Sequence, residues 1–167
     1  VVNGPGTRCT LFVAGCELHC RGCYNQSTWR VDSGLLFTQA MEDRIISDLL
    51  DTSIPRRGLT LSGGDPLLPH NVPSVLKLVK RVREECPGKD IWCWTGYTID
   101  QLTESQWDVV RLIDGLVDGK YVHELRDPSL VWRGSSNQNV YEIKEGIPCN
   151  KFISSQIPIS VTRDSCG

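Results

Sequence analysis

Short apolar runs alternate along this chain with longer stretches in which apolar residues recur every three or four positions. Cys9-Thr10-Leu11-Phe12-Val13-Ala14 has the length and composition of a buried strand. Beyond it, Thr38 stands as an N-cap ahead of Glu42 and Asp43. Met41, Ile45 and Leu49, with Ile46 and Leu50 beside them, then form a helical stripe. Gly58-Leu59-Thr60-Leu61 is a second strand. A second helix starts near Pro73, carries Val75, Val79 and Val82 on one face, and stops before Pro87-Gly88. Asp90-Ile91-Trp92-Cys93-Trp94 is a third strand. Thr103 and Gln106 make a capping box for a helix through Val109, Val110 and Ile113. Gly115-Leu116-Val117 is a brief fourth strand, and Leu130-Val131-Trp132 a candidate fifth.

Strands alternating with helices specify an α/β fold with a parallel sheet and right-handed crossovers. About five to six parallel strands are too few to close an eight-stranded barrel, so the expectation is a partial, open (β/α) barrel. The unusual residues all follow strands: Cys16–Cys23, Ser62–Pro66, Thr95–Tyr97, Asp118–Tyr121 and Arg133–Gln138. The carboxyl edge of a parallel sheet is where ligands bind, so these loops predict one composite site.

Composition narrows the class. With 18 basic and 20 acidic residues, the net charge of −2 gives no basic surface for nucleic acid. The longest apolar runs fall far short of the roughly 20 residues of a membrane span, and no basic-then-apolar signal segment opens the chain. The expectation is a cytoplasmic protein. Eight cysteines would permit a disulfide framework, but half of them lie between Cys9 and Cys23 and the chain has ample core-forming residues. Metal binding in a reducing compartment fits that distribution better.

The candidate chemistry centres on Cys16-Glu17-Leu18-His19-Cys20-Arg21-Gly22-Cys23. Three thiolates on one loop suit three corners of an iron–sulfur cube and leave the fourth iron free for a substrate. Zinc is an alternative, but it needs a fourth ligand, and His19 is badly placed beside Cys20. Buried structural cysteines are the third reading. Gly63-Gly64-Asp65 is either a tight loop leaving a strand or a turn where a ligand meets bare backbone while Asp65 accepts hydrogen bonds from an ammonium group. Trp92 and Trp94 share a strand face and read as an aromatic core wall, and His70 and His123 as loop histidines. No Ser–His–Asp order, zinc-protease helix or P-loop is present.

Taken together, these motifs resemble a known family. Cys16-x3-Cys20-x2-Cys23 is similar to the signature of the radical S-adenosylmethionine superfamily. Gly4-Pro5-Gly6-Thr7-Arg8 and Tyr24-Asn25 resemble its glycyl-radical-activating branch. Asn3–Arg30, Leu61–Pro66, Trp94–Tyr97 and Trp132–Gln138 resemble the activators of anaerobic ribonucleotide reductase. The resemblance implies a [4Fe-4S] cluster on Cys16, Cys20 and Cys23, with S-adenosylmethionine chelating the open iron. Gly63, Gly64 and Asp65 would hold its methionine end, and Gly22, Cys23 and Tyr24 would lie beside its nucleoside. A flavodoxin-like donor would supply the electron that cleaves the sulfonium bond. The 5′-deoxyadenosyl radical so formed would take hydrogen from a glycine of the large reductase subunit. Activation of a formate-lyase-type enzyme is the near alternative, and a non-catalytic metal-binding or electron-transfer module the distant one. The likeness covers most of residues 1–138. Residues 139–167, with Cys149 and Cys166, read as a tail of unassigned role.

Overall fold

The computed structural model describes residues 4–23 and 26–149. Six strands form one sheet in chain order: β1 (Arg8–Val13), β2 (Gly58–Gly63), β3 (Asp90–Trp94), β4 (Gly115–Asp118), β5 (Asn139–Lys144) and β6 (Ile147–Cys149). β1 to β4 are parallel, and α1 (Gln39–Leu50), α2 (Val72–Glu85) and α3 (Glu104–Val110) make the crossovers. β5 and β6 are antiparallel, so the sheet is mixed rather than parallel throughout.

The helix starts follow from their caps. The Thr38 hydroxyl accepts from the Met41 amide at 3.3 Å. Thr103 and Gln106 satisfy each other's backbone amides in a complete capping box. The buried face of α1 is Glu42, Ile46 and Leu49, while Met41 and Leu50 are exposed. Glu42 is buried because α2 brings Arg81 to 3.2 Å and Lys77 to 3.8 Å of its carboxylate. A stripe read from apolarity alone cannot include a glutamate whose partners arrive from another helix.

Alternation along the strands separates two faces. Leu59, Leu61, Ile91, Cys93 and Leu116 pack with the buried residues of all three helices. The opposite face gathers Trp92, Val117 and Val140 with Trp94 and Trp132. Trp92 meets Trp132 edge-on at 4.8 Å, and the Trp94 indole donates to the Trp132 carbonyl at 2.7 Å. Near the start of the strands Arg8 closes this face, donating to Thr60 and Leu59 and pairing with Asp90.

Residues 130–132 form a bend, not a strand, and Trp132 sits at φ 62°. The last pairing comes instead from 139–149. Asn139 to Glu142 lie against Asp118 to Gly115, and a two-residue turn then reverses the chain into β6. Glu145 and Gly146 take φ values of 51° and 78°, the left-handed pair a tight hairpin requires. Residues 139–149 therefore continue the sheet. Residues 150–167, including Cys166, lie outside the described residues.

Candidate active site at the cysteine loop

The four parallel strands end at one edge, and the loops there meet on the segment from Cys16 to Cys23. At its root the chain is stitched by backbone. Gly15 donates to Thr28 at 2.6 Å and Cys16 to Trp29 at 2.9 Å. From the β2 loop, Gly64 donates to Val13 at 2.7 Å and Asp65 to Gly15 at 2.8 Å. From the end of β3, the Tyr97 hydroxyl donates to the Glu17 carboxylate, and Leu18 lies directly on the Cα of Gly96. From the β4 side, His123 packs against Gly22, and Glu124 pairs with Arg21 at 3.2 Å. The loops after β2, β3 and β4 each contribute a specific contact at the cysteine loop or its root, whereas Arg133–Gln138 follows a bend rather than a strand and bonds to Gly119 and Lys120.

The glycines of the cysteine loop and of the β2 loop have local steric reasons. Gly22 sits at φ +76°, and a Cβ there would stand 2.5 Å from the His123 ring. At Gly63, φ is +106° and a Cβ would meet the Val13 backbone at 2.5 Å; at Gly64 it would meet the Gly15 carbonyl at 2.5 Å. The adjacent pair lets the β2 loop lie against the chain that enters the cysteine loop.

Asp65 is 1% exposed, and protein donors occupy both its oxygens. Oδ1 accepts from the Leu67 amide at 2.9 Å and the Thr95 hydroxyl at 2.8 Å. Oδ2 accepts from the Gly96 amide at 2.9 Å and the Thr95 hydroxyl at 3.1 Å. Burial pushes its carboxyl up to about 6, against the opposing pull of hydrogen bonds from Gly96, Leu67 and Thr95.

Cys20 is buried, and Cys16 and Cys23 are half-buried. Burial pushes the Cys16 and Cys20 thiols up, with backbone hydrogen bonds at Leu18 and at Tyr121, respectively, opposing it. The Cys23 amide donates to the Cys20 carbonyl at 3.1 Å, which makes a tight turn between two of the three. Among the described residues no three His, Cys, Asp or Glu side chains stand close enough together to hold a metal ion. Ligation therefore requires the three cysteine side chains to turn toward one point. The donor chemistry fits a [4Fe-4S] cluster: three soft thiols on one loop. His19 stacks on Trp29 with ring centres 4.6 Å apart, a packing role that does not involve a metal. Tyr24 lies outside the described residues.

With this geometry in view, comparison with known proteins is decisive. Residues 2–141 match the model of a 4Fe-4S single cluster domain. The anaerobic ribonucleoside-triphosphate reductase-activating protein of Escherichia coli (strain K12) is 67% identical over 144 residues, covering 86% of this chain and 94% of that protein. This chain belongs to that activating-protein family. The namesake from Vibrio cholerae is 62% identical over 141 residues, covering 84% of this chain and 91% of its own. That of Enterobacteria phage T4 is 44% identical over 146 residues, covering 87% and 90%. No solved structure matches the chain.

Family membership sets aside the formate-lyase-type and non-catalytic readings. It also directs attention to contacts that motif spacing did not reveal: Leu18 on Gly96, Glu17 with Tyr97, and His123 on Gly22. Each pairs a residue inside the cysteine motif with one 78 or more positions away. The only sequence signal was that both partners of each pair followed strands. No described helix is long and apolar enough to cross a membrane.

Proposed function

We propose that this chain activates an anaerobic ribonucleoside-triphosphate reductase by generating a radical on a glycine of its large subunit, with S-adenosylmethionine as the cofactor. Cys16, Cys20 and Cys23 hold the [4Fe-4S] cluster. When bound, the cluster supplies a low-potential electron and one iron position open to the cofactor. The Gly63-Gly64-Asp65 turn lies against the root of the cysteine loop and receives the methionine end. Gly22, Cys23 and Tyr24 flank the nucleoside. A flavodoxin-like protein delivers the electron, and the reaction takes place in the cytoplasm on an open, partly barrel-like sheet.

The observation that carries this reading is the convergence of three strand-end loops on one three-cysteine loop in a chain of this family. Those loops fix the cysteine segment from three sides, which supplies the orientation a radical transfer requires. Three thiols on one loop match a cluster that keeps one iron for its substrate.

The test is anaerobic reconstitution with iron and sulfide, followed by reduction in the presence of S-adenosylmethionine and the reductase large subunit. The expected result is a glycyl radical visible by electron spin resonance. A reconstituted, reduced chain that leaves the large subunit without that signal would overturn the proposal.

A further inference from the structure

The Asp65 side chain is turned into the protein and bonded there. Its carboxylate accepts three donors, the Leu67 amide, the Thr95 hydroxyl and the Gly96 amide, and the residue is 1% exposed. Its backbone is equally committed. The amide donates to Gly15 at 2.8 Å, and the carbonyl accepts from the Asn71 side chain at 2.9 Å. That same Asn71 amide group also donates to the Ala14 carbonyl at 2.9 Å. Asp65 thus joins three strand ends: β1 through Gly15, β2 by its own position, and β3 through Thr95 and Gly96.

The β3 end is the surface on which the cysteine loop rests. Leu18 lies on Gly96 so closely that no Cβ fits between them, and the next residue, Tyr97, holds Glu17. Both contacts fall between Cys16 and Cys20. We infer that the Asp65 carboxylate is a positioning residue, a strut that fixes Thr95 and Gly96 and through them seats Glu17 and Leu18, rather than the group that binds the cofactor's ammonium. The inference rests on the proposed function, because the geometry it protects is that of the cluster loop. It reassigns the Gly63-Gly64-Asp65 turn. The glycines permit contact with the root of the cysteine loop, and the carboxylate fastens β3.

A strut and a ligand respond differently to removal of the Thr95 hydroxyl, which touches Asp65 from inside the protein. The experiment compares Asp65→Asn, Thr95→Val and Thr95→Ser by hydrogen–deuterium exchange over residues 15–23 and 94–98. It is run on the full chain with and without reconstituted iron–sulfur, alongside S-adenosylmethionine binding to the reconstituted protein. Asn places an amide donor against either the Gly96 or the Leu67 amide, and Val deletes a donor to a charged acceptor. Each substitution is expected to raise exchange in both segments by roughly tenfold or more. Both should weaken cofactor binding by similar factors, and Thr95→Ser, which keeps the hydroxyl, should restore both readouts.

If Asp65→Asn weakens cofactor binding while Thr95→Val and the exchange of residues 15–23 stay at the wild-type level, Asp65 is a ligand and the strut is refuted. If the exchange effects appear while even the wild-type chain fails to bind S-adenosylmethionine, the strut stands and the cofactor reading falls.

Discussion

Replacing Gly22 by Ala places two separable burdens on the cysteine loop. The residue sits at φ +76°, where an L side chain costs about 1–2 kcal/mol. Its new Cβ would also stand 2.5 Å from His123 Nδ1, 3.1 Å from Cγ and 3.3 Å from Cε1. That ring is not free to leave without loss, since it packs edge-on against Tyr121, whose hydroxyl lies 3.4 Å from Nδ1. Overpacking of this kind costs roughly 1–3 kcal/mol. The two terms together predict a folded-state loss of roughly 2–5 kcal/mol.

A double-mutant cycle with His123→Ala separates them. Truncating the ring removes the clash and leaves the backbone term, so the double variant should recover roughly 1–3 kcal/mol relative to the additive expectation. Denaturant unfolding gives the free energies. Iron retained per chain after anaerobic reconstitution and desalting reports the same coupling at the site, because Gly22 adjoins Cys23. A coupling energy within about 0.3 kcal/mol of zero would mean that the β4 loop does not brace the cysteine loop.

Two further outcomes follow from buried groups elsewhere. Gly115→Ala would drive a Cβ into the Trp92 ring, which Trp132 and Trp94 already hold. It should destabilise the fold by about 1–3 kcal/mol and alter the near-ultraviolet tryptophan dichroism, and an unchanged spectrum would contradict the packing described. The carboxyl of Asp65 lies at about 6 in the folded chain against 3.8 unfolded, so the unfolded chain holds fewer protons through that window. Its contribution to stability is therefore greatest below about pH 4, falls as pH rises to about 6 and is flat above. The difference in unfolding free energy between wild type and Asp65→Asn should change by about 3 kcal/mol across that window, and a pH-independent difference would refute the burial argument.

Much of the architecture was legible because local chemistry and tertiary demand agree. The span of β3, the Thr38 cap and the Thr103–Gln106 capping box all stand where their residues place them. Disagreement arose where a distant partner decides. Glu42 is buried by Arg81 from another helix, and Met41 and Leu50 are exposed in consequence. The hairpin at Glu145-Gly146 did carry a signal, a glycine-containing pair between two alternating segments, and the bend at Leu130–Trp132 lacked a partner strand. At the site, the spacing of three cysteines on one loop pointed to an iron–sulfur cluster but left zinc and structural cysteines open, and the match to a 4Fe-4S single cluster domain favours the first. The roles of Gly63, Gly64 and Asp65 could not be read in the same way. Whether a glycine admits a ligand or a neighbouring strand, and whether a carboxylate faces outward or inward, depends on what the fold brings against it.

The central claim is that the three-cysteine loop serves S-adenosylmethionine chemistry. The most direct measurement is the yield of 5′-deoxyadenosine from the anaerobically reconstituted, reduced chain given S-adenosylmethionine, with Cys20→Ala run in parallel. The account predicts nucleoside formation by the wild-type chain and none by the variant. Zinc in the cysteine site with no cleavage, or equal cleavage by the Cys20→Ala chain, would contradict it.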